Sequence, residues 1–198
     1  LTDMPGLMNA DPRSTVQASL IEEIIEIDHE LEQLAGGAGS ARGSGGMASK
    51  LSAAKIAAWS GVRTVIAAAS RPEVLRDAVN QVPGVGTTIH ARDNQLSARK
   101  LWIAFALPSA GRIQVDAGAV KALSQGGTSL LAAGVRSVDG QFEAFEAVEI
   151  VDESGSVIAK GLTRLNAQSV QELAGRRSSE LAGRSGEIVH CDDLVILP

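Results

Sequence analysis

Two short stretches of this chain gather the residue types that chemistry needs. The first is a glycine run over residues 36–46, GGAGSARGSGG, leading straight into MASKLSAAKIAAW from Met47. Taken alone, the run reads as a flexible surface linker. The alanine-rich stretch behind it predicts a helix that stops at Gly61. A glycine-rich loop that opens a helix presents unpaired N–H groups and the positive end of the helix dipole, a combination that holds phosphate. Lys50 falls in the first turn. A cation there opposes the dipole and makes more sense if an anion shares the site. No GK[ST] follows the glycines, so the loop is not of the Walker A type. The second stretch is His190-Cys191-Asp192-Asp193. Successive strand residues point to opposite faces, so these four are not expected to converge and no metal site is assigned. Cys191 reads as an ordinary half-buried thiol.

The elements that must position these residues fall into two styles. Residues 4–14 carry the turn signals Pro5-Gly6 and Asp11-Pro12. LIEEIIEI over 20–27 fits a helix or a strand, and periodicity leaves the choice open. Asp28 is placed to cap HELEQLA. Residues 62–68 read as a buried strand, 72–80 as a short helix with Pro at its start, and 85–90 as another strand. Strand and helix therefore alternate through the first half, which implies an α/β layer fold. LSARKLWIAFALP predicts a linker helix. Strands are then expected over 112–116, 129–138, 145–151 and 157–165, with helices in GAVKALSQG and SVQELAG. Gly140 and Gly155 mark turns, and 186–197 reads as a strand pair or hairpin. The division expected is 1–98, a linker over 99–107, and a compact β-rich module over 108–198.

Composition narrows the function classes. The 198 residues are 44% hydrophobic and 21% charged, as befits a folded protein with a core. With 30 Ala and 21 Gly but three Phe, two Trp and no Tyr, that core must be built from small and aliphatic side chains. Aromatic platforms for stacking bases are correspondingly scarce. The net charge is -5, and acids outnumber bases in both halves, which argues against strong non-specific nucleic-acid binding. One cysteine excludes an internal disulfide and every zinc site that needs two cysteines. No apolar run approaches a membrane span and no signal peptide is visible, so the expected compartment is the cytoplasm.

Ser44-Gly45-Gly46-Met47-Ala48-Ser49-Lys50-Leu51, followed by Ala53-Ala54, resembles the nucleotide loop of glutamate 5-kinases, members of the amino acid kinase superfamily. The opening Leu1-Thr2-Asp3, with Pro5-Gly6-Leu7 and Ala10-Asp11-Pro12-Arg13, is similar to the segment upstream of that loop. Residues 112–118, 126–131, 134–140, 159–166, 173–175 and 190–193 resemble the family's C-terminal PUA domain. The resemblance implies a partial α/β/α amino acid kinase sandwich followed by a small β-rich PUA barrel. It also implies ATP-dependent phosphorylation of the γ-carboxylate of L-glutamate, the first step of proline synthesis. The work would be done by positioning and charge neutralisation. By resemblance, Lys50 balances charge on the transferring phosphoryl group. The amides of Gly45, Gly46 and Met47 face the phosphates, with Ser44, Ala48 and Ser49 completing the loop. Thr2 and Asp3 contact the nucleotide, and Mg2+ bridges the phosphates. Ser44 stands where threonine is common in the family and keeps its hydroxyl. The family's first half has no counterpart here, so the chain is expected to be a fragment without kinase activity of its own. Further expectations are a homo-oligomer and, as the alternative reading, a PUA-type RNA-binding or regulatory module. Arg112, Arg136, Lys160, Arg164, Arg176, Arg177 and Arg184 would supply its positive charge.

The remaining residues have blander readings. Lys55 and Arg42 are expected to be solvated charges, His29 and His90 surface or packing residues, and Trp59 and Trp102 core or domain-packing residues. Asp11 and Arg13 fit either a turn with an ion pair or the nucleotide pocket.

Overall fold

The computed structural model describes residues 1–10, 15–35, 46–181 and 185–197. It divides into two compact units, Leu1–Leu96 and Ser97–Pro198.

The first unit is built on three short strands: β1 (Glu23–Ile24), β2 (Thr64–Ile66) and β3 (Thr87–Ile89). Their order is β1-β3-β2, with β1 parallel and β2 antiparallel to β3. Within the ambiguous segment at 20–27 only Glu23–Ile24 form a strand, where β3 pairs with their backbone. Helices α1 (His29–Ala35) and α2 (Met47–Trp59) cover one face, and α3 (Val74–Val79) the other. Strand alternation explains the split. Ile66 joins Ile24, Ile89, Leu51 and Ala54 on one side, while Val65 packs with Ala67, Val74 and Val85 on the other. On α2 the buried residues are Leu51, Ala54, Ala58 and Trp59, one stripe at helical spacing. Burying Leu51 contributes about 1.5–3 kcal/mol. Asp28 caps α1 as expected, its carboxylate accepting from Leu31 N at 2.9 Å. Gly61 ends α2 in the left-handed region at φ 77°.

The second unit holds six strands in the order β5-β9-β8-β7-β4-β6: β4 (Gly111–Val115), β5 (Leu130–Leu131), β6 (Val135–Gly140), β7 (Ala147–Val151), β8 (Val157–Thr163) and β9 (Glu187–Ile196). The two edge strands, β5 and β6, are separated by only Ala132–Gly134. Those residues reach about 13 Å at most, whereas the edges of a flat six-stranded sheet lie about 24 Å apart. The sheet must therefore curl into a barrel. Helices α5 (Ala117–Ser124) and α6 (Ala167–Leu173) begin on side-chain caps. Asp116 accepts from Ala119 N at 2.8 Å and Asn166 from Ser169 N at 2.9 Å.

Three readings change. Residues 99–107 do not stand apart as a linker: α4 (Ala98–Leu101) and the π-helical turn Trp102–Ala106 belong to the second unit, with Ile103 fully buried. Residues 129–138 are not one strand but β5, a 3₁₀ turn and β6, the turn being what brings the barrel edges together. Residues 186–197 form no hairpin. They make one ten-residue strand, β9, shared between β8 and β5. No helix among the described residues is long and apolar enough to cross a membrane.

Candidate functional site

Helix α2 opens on Gly46, whose backbone is extended at φ -69°, ψ -173° and which makes no side-chain cap. The first turn holds no acidic residue. Gly46 has no side chain with which to cap the leading N–H groups, and no carboxylate of the first turn competes with an anion for the dipole. Within the turn, the Ser49 hydroxyl donates to Gly46 O at 2.9 Å. Gly46, Met47, Ala48, Ser49 and Lys50 thus share one helical turn, with Lys50 half-buried. Ser44 and Gly45 lie outside the described residues, as do Arg42, Asp11 and Arg13.

Thr2 and Asp3 form the second group. Thr2 is buried and bridges the chain just beyond β2. Its N–H donates to Ala67 O at 3.0 Å, and its carbonyl accepts from Ala69 N at 2.7 Å. The Thr2 hydroxyl donates to Asp3 Oδ1 at 3.0 Å, fixing the two side chains together. Helix α2 and this bridge are joined through β2, since α2 feeds that strand and the residues after it hold Thr2.

One positioning residue escaped the sequence reading. Thr87, fully buried on β3, accepts from Leu7 N at 2.7 Å and donates to Ile21 O at 2.6 Å. It straps the segment carrying Thr2 and Asp3 to the sheet. Gly6 permits the approach: a Cβ there would sit 2.6 Å from Thr87 Oγ1 and 2.9 Å from Thr87 N. The only sequence signal was the Pro5-Gly6 turn, which does not point to its partner.

Several bland readings are revised. Lys55 is not simply solvated. It lies 2.6 Å from Glu32 with its side chain 18% exposed, and so ties α2 to α1. Trp59 is buried as expected, with the Arg92 guanidinium 4.3 Å above its ring and Glu26 3.2 Å from Arg92. Trp102 is 48% exposed and is not a core residue of its unit. His90 is half-exposed, 3.9 Å from Glu23.

In the second unit the positive charges are largely engaged. Arg112 meets Glu149 at 2.8 Å, Arg136 meets Asp116 at 3.4 Å, and Arg164 meets Glu187 at 3.1 Å. Lys160 is buried and donates to Leu107 O. Burial holds its ammonium below the ordinary value, opposed by the Glu149 carboxylate. Asp152 is held below the usual carboxylate range, first by the Ser154 hydroxyl and then by the amides of the turn it closes. Arg184 lies outside the described residues.

Contrary to expectation, three of the four residues 190–193 come together. Gly161 and Thr163 of β8 pair with Leu194 and Val189 of β9, so one residue on β8 faces four on β9. The extra residues bulge from the ladder and strict alternation is lost. One ligand atom from each of His190, Cys191 and Asp192 now lies within 4.8 Å of the others.

Two family models match the chain. The amino acid kinase family matches residues 1–68 and the PUA domain residues 111–183. A glutamate 5-kinase of Klebsiella pneumoniae subsp. pneumoniae is 43% identical over 201 residues, which cover 99% of this chain and 54% of that protein. One from Photobacterium profundum is 42% identical over 202 residues, covering 100% and 53%. The chain is homologous to glutamate 5-kinases along its whole length. It spans about half the length of these glutamate 5-kinase relatives. A solved PUA domain from Aeropyrum pernix K1, a tartrate complex, is 25% identical with a TM-score of 0.33, covering 47% of this chain and 50% of that one.

Proposed function

We propose that this chain supplies the nucleotide-binding part and the PUA domain of a glutamate 5-kinase. The reaction is transfer of the γ-phosphoryl group of ATP to the γ-carboxylate of L-glutamate. The observation that carries the reading is the whole-length identity of about 42% with glutamate 5-kinases. The opening turn of α2 supports it chemically, being a helix N-terminus led by a glycine, with no acidic residue in its first turn and with Lys50 in the same turn. In this reading the amides of Gly45, Gly46 and Met47 receive phosphate oxygens, with Ser44, Ala48 and Ser49 shaping the loop. Lys50 offsets charge as the phosphoryl group moves. Thr2 and Asp3, locked together by their hydrogen bond and strapped down through Thr87, orient the nucleotide.

Magnesium fits as an ion carried on the nucleotide's phosphates, where it neutralises their charge. The described residues of the first unit gather no group of three metal-ligating side chains, and nucleotide-borne Mg2+ needs only one or two protein carboxylates.

The test exchanges the matching 201 residues of the Klebsiella relative for this chain and follows glutamate-dependent ADP release. Lys50→Ala is expected to lower kcat about a hundredfold. Undiminished turnover in that variant would remove Lys50 from the site. A chimera that folds and binds nucleotide but never responds to glutamate would refute the activity. The paired arginines of the second unit give the RNA-binding alternative no support of its own.

A further inference from the structure

The bulge of β9 assembles three donors of different chemistry. Cys191 Sγ lies 3.9 Å from His190 Nδ1 and 3.9 Å from Asp192 Oδ1, and His190 Nδ1 lies 3.5 Å from Asp192 Oδ2. Around zinc, with bonds of about 2.3 Å to sulfur and about 2.0–2.1 Å to nitrogen or oxygen, tetrahedral donors stand about 3.3–3.6 Å apart. The two Asp192 contacts run to different carboxylate oxygens; with one donor atom taken from each residue, the three lie within 4.8 Å of one another, so side-chain rotation must draw them together by about an ångström to reach that spacing. The imidazole already presents the required tautomer. Asp192 N–H donates to His190 Nδ1 at 3.1 Å, so Nδ1 is the unprotonated nitrogen, and a cation would take over the lone pair that the amide now holds.

The bulge is also held from outside. Cys191 N donates to Ser129 Oγ at 3.0 Å, and Cys191 O accepts from Lys100 Nζ at 3.0 Å. Arg99 grips Asp193 through Nε at 2.7 Å and Nη2 at 2.6 Å, which commits Asp193 elsewhere and leaves three donors. Gly161 of β8 sits beneath, where a Cβ would come 2.9 Å from Asp193 O. Such outer contacts orient donors in advance of a metal.

We propose that His190 Nδ1, the Cys191 thiolate and the Asp192 carboxylate form a site for a zinc-class divalent cation with its fourth position open to solvent. The mixed nitrogen, sulfur and oxygen set favours zinc or cobalt over magnesium or calcium, so the site is separate from any nucleotide-borne magnesium. Binding releases the Cys191 thiol proton to solvent and forms a metal–sulfur bond, with no redox change. A bound ion would clamp the bulge that α4 now holds by its Arg99 and Lys100 contacts.

The test titrates the tag-free, reduced, metal-free chain with Co2+. One equivalent should bind with a thiolate-to-cobalt charge-transfer absorption, displaced by Zn2+ and not by excess Mg2+. C191A should abolish the band. H190A and D192N should each weaken binding more than about tenfold, with unchanged far-UV circular dichroism. D192N alters a side chain that is 83% exposed, so it keeps the test open if H190A fails to fold. No band in the unmodified chain would overturn the proposal. So would a band whose affinity ignores both H190A and D192N, which would mark adventitious binding by a lone thiol.

Discussion

Thr87→Val isolates the strap that holds the first eight residues to the sheet. Valine keeps the shape and removes only the hydroxyl. Two backbone groups then lose their partner: Leu7 N, in a buried residue, and Ile21 O, partly buried. Each unsatisfied buried group costs about 1–3 kcal/mol. Partial access of water to Ile21 O pulls the sum toward about 2–4 kcal/mol. The chain has two units, so a single unfolding midpoint mixes them and amide hydrogen exchange is the better readout. At about 1.4 kcal/mol per factor of ten, protection of the Leu7 amide should fall about 30-fold to several hundredfold. Amides in β7 and β8 should be unaffected. Thr87→Ser restores the hydroxyl and should recover most of the protection, losing only a methyl group. If Leu7 protection in the valine variant stays within a factor of two or so of the unmodified chain, the strap does not hold this segment and the argument fails.

Other consequences are open to measurement. Gly6→Ala should lower the stability of the first unit by about 1–3 kcal/mol, because its Cβ meets the Thr87 backbone, seen as a lower urea midpoint for that unit. Lys160 has a folded pKa below its ordinary 10.5, so the unfolded chain binds more protons between the two values and stability rises with pH across that alkaline window. Lys160→Met should flatten that slope in denaturant titrations carried out at alkaline pH below 10.5. Arg99→Ala should cost at most about 1 kcal/mol globally, its guanidinium being half-exposed, yet should lower amide protection at residues 190–193.

Local signals were legible in the sequence wherever the physics is local. Asp28 caps its helix as read, because a short polar side chain followed by a helical run has few other uses, whereas the caps at Asp116 and Asn166 came only from the structure. The α/β layering of the first unit followed from alternating elements. Opposite burial of Val65 and Ile66 is the period of two expressed in three dimensions. The opening turn of α2 was legible because glycine, helix start and lysine are adjacent in the chain. Thr87 was not, since its partners lie 80 and 66 residues away and a buried threonine in a strand looks like any other.

The failure at 190–193 has the same origin. Alternation along a strand assumes an unbroken ladder, and the ladder belongs to the partner as much as to the strand itself. Here the partner is β8, where Gly161 removes the Cβ that would hold β9 off, and Leu162 alone answers four residues opposite. The bulge is thus a consequence of a glycine some thirty residues earlier, anchored by Arg99 and Lys100 about ninety residues earlier. If that causal order is right, Gly161→Ala should disorder the bulge without touching any of its residues. It should abolish cobalt charge-transfer as effectively as C191A while leaving the amides of β4 and β7 protected. Retention of the band in that variant would mean that the bulge is dictated by β9 alone, and that the register mismatch with β8 is its result rather than its cause.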